Sequence, residues 1–191
     1  MDEKCRKPRS DALKNRERLI EAAKEILGRG GPEASLEAVA RRAGVGPGTL
    51  YRHFPTREAL FQAVYRHDVD DILQLAAELD QPGGGVEALR AWMHANVALV
   101  ATKRGLLGAL AVVVTDESKA MYSEVSANIT RAMDGLLQRA ISEGAVRNDI
   151  TAADLLQTFY ALCYARQPEP GWKEQVLRLL NIFIDGLRTR P

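Results

Sequence analysis

Between Ala43 and Phe54 the chain reads AGVGPGTLYRHF, with three glycines and a proline packed ahead of Tyr51, Arg52, His53 and Phe54. No long helix or strand passes through such a stretch, because proline lacks the N–H that a ladder needs and glycine is costly inside either element. The segment therefore predicts a corner. On its upstream side Ser35 offers a capping hydroxyl to a helix over Leu36–Ala43, which turns Leu36, Val39, Ala40 and Ala43 to one face. Gly44 is free to take the left-handed conformation that stops a helix, and Val45 plugs the corner. Gly46 is a tolerated cap and Pro47 suits the first helical position, so a short helix follows over Pro47–Phe54, with Leu50 and Phe54 sharing a face at i,i+4.

The rest of the chain repeats helical periodicity and nowhere alternates like a strand. A first helix spans about Asp11–Leu27, with Leu19, Ile20, Ala23, Ile26 and Leu27 as its buried stripe and Lys14, Arg16 and Arg18 on other faces. GRGGPEA ends it. Pro55 and Thr56 reset the chain and cap a helix over Arg57–Leu79, and DQPGGG makes the clearest break. Further helices are predicted at about 86–103, 105–114, 117–143, 152–166 and 171–189. The expected fold is all-α with about nine helices. It divides into a basic arm (1–10), a three-helix domain (11–56), a connecting helix (57–80) and a C-terminal helical domain (81–191).

Charge divides along the same line. Residues 1–67 carry 14 Lys and Arg against 9 Asp and Glu, a balance of +5, whereas the remainder carries −4. A basic front on an acidic body points to a polyanion partner for the front alone. Leu106–Val114, the longest run of apolar residues and glycine, is far below the ~18 residues of a membrane span, and the charged N-terminus has no apolar segment behind it. Cys5 and Cys163 sit in unlike surroundings, so the expectation is free thiols in a reducing cytoplasm.

Helix, tight turn, short helix is the helix-turn-helix arrangement, whose second helix enters the major groove. On that reading Tyr51 and His53 hold phosphate oxygens, and Arg52 reaches guanine O6 and N7. Thr49 and Pro47 touch a thymine methyl, while the bare backbone at Gly48 permits close approach. Arg57 opposes the dipole at the start of the following helix, a placement that a docked phosphate makes favourable. For Tyr51 a partly buried packing role stands beside the phosphate contact. Arg41 and Arg42 read as a solvated face, and Lys4, Arg6, Lys7 and Arg9 as an arm able to enter a minor groove.

The run SLEAVARRAGVGPGTLYRHFPTREALFQAV resembles the DNA-binding signature of the TetR family of transcriptional regulators, and the likeness covers residues 12–66. It implies DNA contacts from Ser35, Thr49, Tyr51, His53 and Arg57, an operator of double-stranded DNA and a homodimer. Gly46 departs from the family's frequent serine, which removes a capping hydroxyl. The C-terminal half, with EGAVRND followed by a helix, is similar to the SbtR-like class.

In that half the last helix is apolar on several sides. Val176, Leu180, Phe183, Ile184 and Leu187 form one stripe, and Leu155, Phe159 and Leu162 of the preceding helix complete an expected dimer interface. Trp92, Met93, Asn96, Leu110, Met121, Tyr122 and Val125 supply the mix of soft apolar and orienting polar groups that a pocket for a small apolar or amphipathic effector uses; the competing reading is plain core. His67 and Asp71 share a helical face, but two donors without a third read as a solvated acidic turn, so no metal is expected. No phosphate-binding loop, dinucleotide fingerprint or nucleophile motif is present, so neither a cofactor nor catalysis is expected. The leading expectation is a ligand-released repressor; the alternatives are an enzyme using the C-terminal cavity and a DNA-packaging protein without sequence preference.

Overall fold

The computed structural model describes residues 7–28, 35–110, 116–167 and 169–189. Among them the sequence periodicity resolves into eight helices: α1 (Lys7–Gly28), α2 (Leu36–Ala43), α3 (Pro47–His53), α4 (Arg57–Leu79), α5 (Gly85–Leu110), α6 (Asp116–Ser142), α7 (Ala152–Tyr164) and α8 (Trp172–Asp185). The expected arm residues Lys4, Cys5 and Arg6 and most of the GRGGPEA segment lie outside the described residues.

Several boundaries differ from expectation: α3, α7 and α8 end at His53, Tyr164 and Asp185, short of the expected Phe54, 166 and 189, and two further differences alter the organisation. α1 begins at Lys7, so Lys7 and Arg9 stand on its first turns instead of in an arm. The predicted helices at 86–103 and 105–114 are joined, because α5 runs through Gly105 to Leu110. A glycine inside a helix costs about 1 kcal/mol relative to alanine but keeps its N–H, so it weakens the ladder without breaking it.

The chain divides into two compact units. One holds the described residues up to His67 together with the end of α5 from Thr102; the other holds Asp68–Ala101 and everything described from α6 onward. The division falls inside α4, between His67 and Asp68, rather than at either end of the expected connecting helix.

The first unit is a small helical core. Leu19, Ile20 and Ala23 of α1, Val39 and Ala40 of α2, Leu50 of α3, Phe54, and Leu60, Phe61 and Val64 of α4 are all buried. Local chemistry sets each helix end. The Ser35 hydroxyl accepts from the Ala38 N–H at 3.1 Å, and the Thr56 hydroxyl accepts from the Ala59 N–H at 3.1 Å, so each caps the helix that follows. At the other end of α2, Gly44 adopts φ 67° and ψ 35°. The Val45 N–H then donates to the Ala40 carbonyl at 3.0 Å and the Gly44 N–H to that of Arg41 at 3.1 Å. This is the paired bond pattern of a Schellman stop.

In the second unit Trp92, Met93 and Val97 of α5 are buried, as are Met133, Leu137 and Ala140 of α6, Leu155, Phe159 and Cys163 of α7, and Val176, Leu180 and Ile184 of α8. The Trp92 indole N–H donates to the Ile72 carbonyl at 2.9 Å, which satisfies the one polar group that this large side chain brings into the core. Thr151 and Asp154 form a reciprocal capping box at the start of α7. A closed ring of charge ties α5 to α8. Arg90 donates to Glu87 at 3.0 Å and to Asp185 at 2.5 Å, and Arg188 reaches the same two carboxylates at 2.5 and 3.6 Å. The hydrogen bond from Arg90 holds the Asp185 carboxyl below the usual carboxylate range. The segment after α8 returns to the loop after α6, where the Arg147 N–H donates to the Leu187 carbonyl at 2.9 Å.

The left-handed stop at Gly44 is the most constrained joint of the first unit. Gly44→Ala should destabilise it by about 1–2 kcal/mol, because a β-carbon crowds the carbonyl in this conformation and also meets Arg18 Nη2 at 3.2 Å. Gly44→Asn, which tolerates the conformation better, should lose less. Chemical denaturation of the three proteins side by side checks the order.

Candidate nucleic-acid interface

α3 is a seven-residue helix, about 10 Å long, held to its unit by few side chains. Leu50 is 1% exposed and Phe54 just beyond the helix is 2% exposed; between them they fix its inner face. Arg16 of α1 lies over the Phe54 ring, 5.4 Å from its centroid, and adds a cation–π contact to that anchor. The other face is more open: Pro47, Gly48, Tyr51 and Arg52 are exposed, and Thr49 and His53 are half-buried. Tyr51 is 46% exposed, so the packing role weighed for it is at most partial. Two turns of helix thus carry an aromatic hydroxyl and a guanidinium in solvent, with a half-buried imidazole and hydroxyl beside them.

The first turn of α3 is unusually bare. Gly46 caps it without a side-chain bond, Pro47 occupies the first position, and a β-carbon built at Gly46 or Gly48 meets no atom within 4 Å. Space opens outward there, so a flat or grooved partner has access to the backbone itself.

Arg57 opens α4 and is exposed. Ser35 stands at the start of α2, its oxygen already accepting the cap bond while its own O–H stays available to donate. Arg42 pairs with Glu25 at 2.7 Å and is more than half exposed, in keeping with a solvated face. Sequence reasoning missed Arg18. It read only as a residue outside the apolar stripe of α1, whereas its Nε donates to the Ala43 carbonyl at 2.9 Å, and Nη2 donates to that same oxygen and to the Gly44 carbonyl. No local pattern announces a bond between residues 25 positions apart.

The residues expected around an effector lie mostly inside the second unit's core. Trp92, Met93, Asn96, Met121 and Val125 are buried and Tyr122 is half-buried. Asn96 Nδ2 donates to the Trp92 carbonyl at 2.9 Å, one turn back on its own helix, so this polar group is engaged internally. Burial and then Tyr164 push the Tyr122 phenol above its ordinary range. The Leu110 side chain lies outside the described residues. On α4 the structure adds the third donor that the sequence reading lacked: donor atoms of His67, Asp68 and Asp71 come within 4.8 Å of one another, and Asp68 is buried instead of solvated.

The expected dimer surface needs correction. Leu155, Phe159, Val176, Leu180, Ile184 and Leu187 are all less than 9% exposed, because the stripe they form is the one α7 and α8 turn toward their own unit. Leu162 and Phe183 are half-buried. The apolar side chains that α7 and α8 do leave in solvent are Tyr160, Tyr164, Leu179 and Ile182, the last 65% exposed. Among the described residues no helix is long and apolar enough to cross a membrane.

Comparison with known proteins fits this geometry. Residues 19–64, the span from α1 through α4's first turns, match the model of bacterial regulatory proteins of the tetR family, and residues 84–189 match that of the transcriptional regulator SbtR-like C-terminal domain. The TetR transcriptional regulator SCO0520 from Streptomyces coelicolor is 34% identical, with 92% of this chain and 99% of that chain covered and a TM-score of 0.75. The HTH-type transcriptional regulator UidR of Escherichia coli K12 is 26% identical over 161 residues, 81% of each chain. The fold is also that of the chain in the SmeT–triclosan complex, at 19% identity, a TM-score of 0.63 and 92% coverage of both chains. With its outward-facing short helix behind a glycine corner and both family matches along its length, the chain belongs to the TetR family of DNA-binding transcriptional regulators, with an SbtR-like C-terminal domain.

Proposed function

We propose that the protein is a repressor that binds a near-palindromic operator as a homodimer and is released by a small apolar or amphipathic ligand. The observation that carries this reading is α3 itself: Leu50 and Phe54 fasten one face, and Thr49, Tyr51, Arg52 and His53 are left on the other. Tyr51, His53, Ser35 and Arg57 contact phosphates and fix the register; Arg52 reads a guanine edge; Pro47 and Thr49 lie against a thymine methyl; Gly48 lets the backbone come close. Two copies of α3 must sit about 34–36 Å apart, or a multiple of it, to meet successive half-sites.

The exposed side chains Tyr160, Tyr164, Leu179 and Ile182 give the homodimer its surface, with Leu162 and Phe183 beside them. An isolated apolar side chain in water is ordinary, but four on two packed helices form a patch that a second copy covers. For ligand release, the effector occupies the second unit near Trp92, Met121 and Tyr122, and must bind the DNA-incompetent state more tightly than the competent one. The described structure of SmeT with triclosan supports ligand binding within this fold. α4 belongs to both units and starts at Arg57, which makes it the element through which ligand binding alters the half-site spacing.

An operator selected from a random duplex library by the wild-type protein allows three tests. Arg57→Ala should weaken binding to operator and random duplex alike and reduce the magnitude of the log–log salt slope by about one, whereas Arg52→Ala should cost about 1–3 kcal/mol on operator and little on random DNA. Equal losses from Arg52→Ala on both duplexes would reduce it to a backbone contact, and a wild-type affinity indifferent to sequence would favour a packaging role.

Ile182→Glu, at a site that costs the lone chain little, should yield a folded monomer at micromolar concentration, because in the dimer it buries an unpaired carboxylate. Sedimentation showing an intact dimer removes this face. Once a ligand is in hand, linkage requires operator DNA to weaken its binding by the factor by which the ligand weakens operator binding, typically ~5–150-fold. Calorimetry returning one ligand affinity with and without operator would exclude release.

A further inference from the structure

The carbonyls at the end of α2 point past the corner into the space beside α1. Four carbonyl groups at a helix end have no partner within the helix, and they concentrate its negative pole. The Schellman bonds use those of Ala40 and Arg41. That of Ala43, and the carbonyl of Gly44 just beyond the helix, are taken by Arg18, which reaches across from α1: Nε donates to the Ala43 oxygen at 2.9 Å, Nη2 donates to the same oxygen, and Nη2 also donates to the Gly44 oxygen at 3.2 Å. Gly44 is two residues from the cap of α3. A rigid planar fork with a full positive charge therefore grips the backbone at the point where the chain changes direction between its two short helices.

Beyond the Schellman stop at Gly44, few groups hold α3. α3 carries one buried side chain of its own, Leu50, and no side-chain bond caps its start. The Schellman bonds fix the backbone at Gly44, but Gly46, the residue before Pro47, restricts its own backbone little. A helix held so loosely by its own residues needs its angle to α2 set from outside. We propose that Arg18 is a positioning residue for operator recognition: by bonding both carbonyls at the corner it fixes the angle at which α3 is presented, without touching DNA. This rests on the reading of α3 as the recognition helix.

A misangled recognition helix loses base-edge contacts, whose geometry is strict, before it loses phosphate contacts, which tolerate displacement. The test measures affinities of wild type, Arg18→Ala and Arg18→Lys for the library-selected operator and for a random duplex, each across a salt series, alongside thermal unfolding. Arg18→Ala should bind operator about tenfold more weakly, a change of ~1.4 kcal/mol. Its binding to random duplex should change by less than about twofold and its salt slope on random duplex should be unaltered. Arg18→Lys, which keeps the charge but gathers its donors on one nitrogen and lacks the fork, should fall between. It also serves as the test variant should the alanine protein not fold.

Three results overturn the proposal. A salt slope smaller by about one on both duplexes makes Arg18 a phosphate contact in its own right. A parallel loss on both duplexes at a matched fall in unfolding midpoint makes its role stability alone. An operator preference equal to wild type in both variants shows that the fork does not set the helix angle. A wild-type protein that shows no operator preference refutes the functional reading as well, which separates that failure from these.

Discussion

The α2–α3 corner depends on a single backbone conformation, the left-handed turn at Gly44. Once that residue takes a positive φ, α2 must end, its last carbonyls turn outward, and the chain has two residues before Pro47 starts the next helix. Everything that α3 presents follows from where that helix can start. The rest of the first unit serves this joint: α1 and α4 supply the apolar mass that holds Leu50 and Phe54, and Arg18 takes the carbonyls that the turn exposes. The energies involved are small, of order 1 kcal/mol for each cap or bond, so precision comes from several weak constraints acting on one short segment.

The sequence was most legible where local chemistry decides structure. Ser35, Gly44, Pro47 and Thr56 each act within three or four residues, and the structure places α2, α3 and the start of α4 where those residues predict. Leu50 and Phe54, paired by helical spacing, are both buried as that pairing required. Gly105 shows the limit of the same reasoning. It reads as a break, yet α5 passes through it, because the preference of one residue is weaker than the combined pull of a 26-residue helix.

Long-range features were illegible for a different reason. Periodicity identifies which stripe of a helix is apolar but not what covers it. Val176, Leu180 and Ile184 looked like a surface in need of a second copy, and the same pattern serves equally well as the inside of the chain's own unit. Only the residues left over, such as Ile182 and Tyr164, distinguish the two, and that remainder is known once the packing is known. The bonds of Arg18 to residues 43 and 44 and the Arg90–Glu87–Arg188–Asp185 ring, whose members lie up to 101 positions apart, belong to the same class.

The open space around Gly46 and Gly48 has a consequence for how this protein can change. At most positions on a protein surface a new side chain must displace or accommodate an old neighbour. Here a β-carbon meets no atom within 4 Å beyond its immediate neighbours and its own helix backbone, and neither glycine carries a positive φ, so a β-carbon adds neither strain nor a clash. Replacing Gly48 by almost any residue even favours the helix, and a serine at position 46 would bring the capping hydroxyl that α3 lacks. The first turn of α3 is therefore a pair of vacant sockets, where a side chain can be added instead of exchanged.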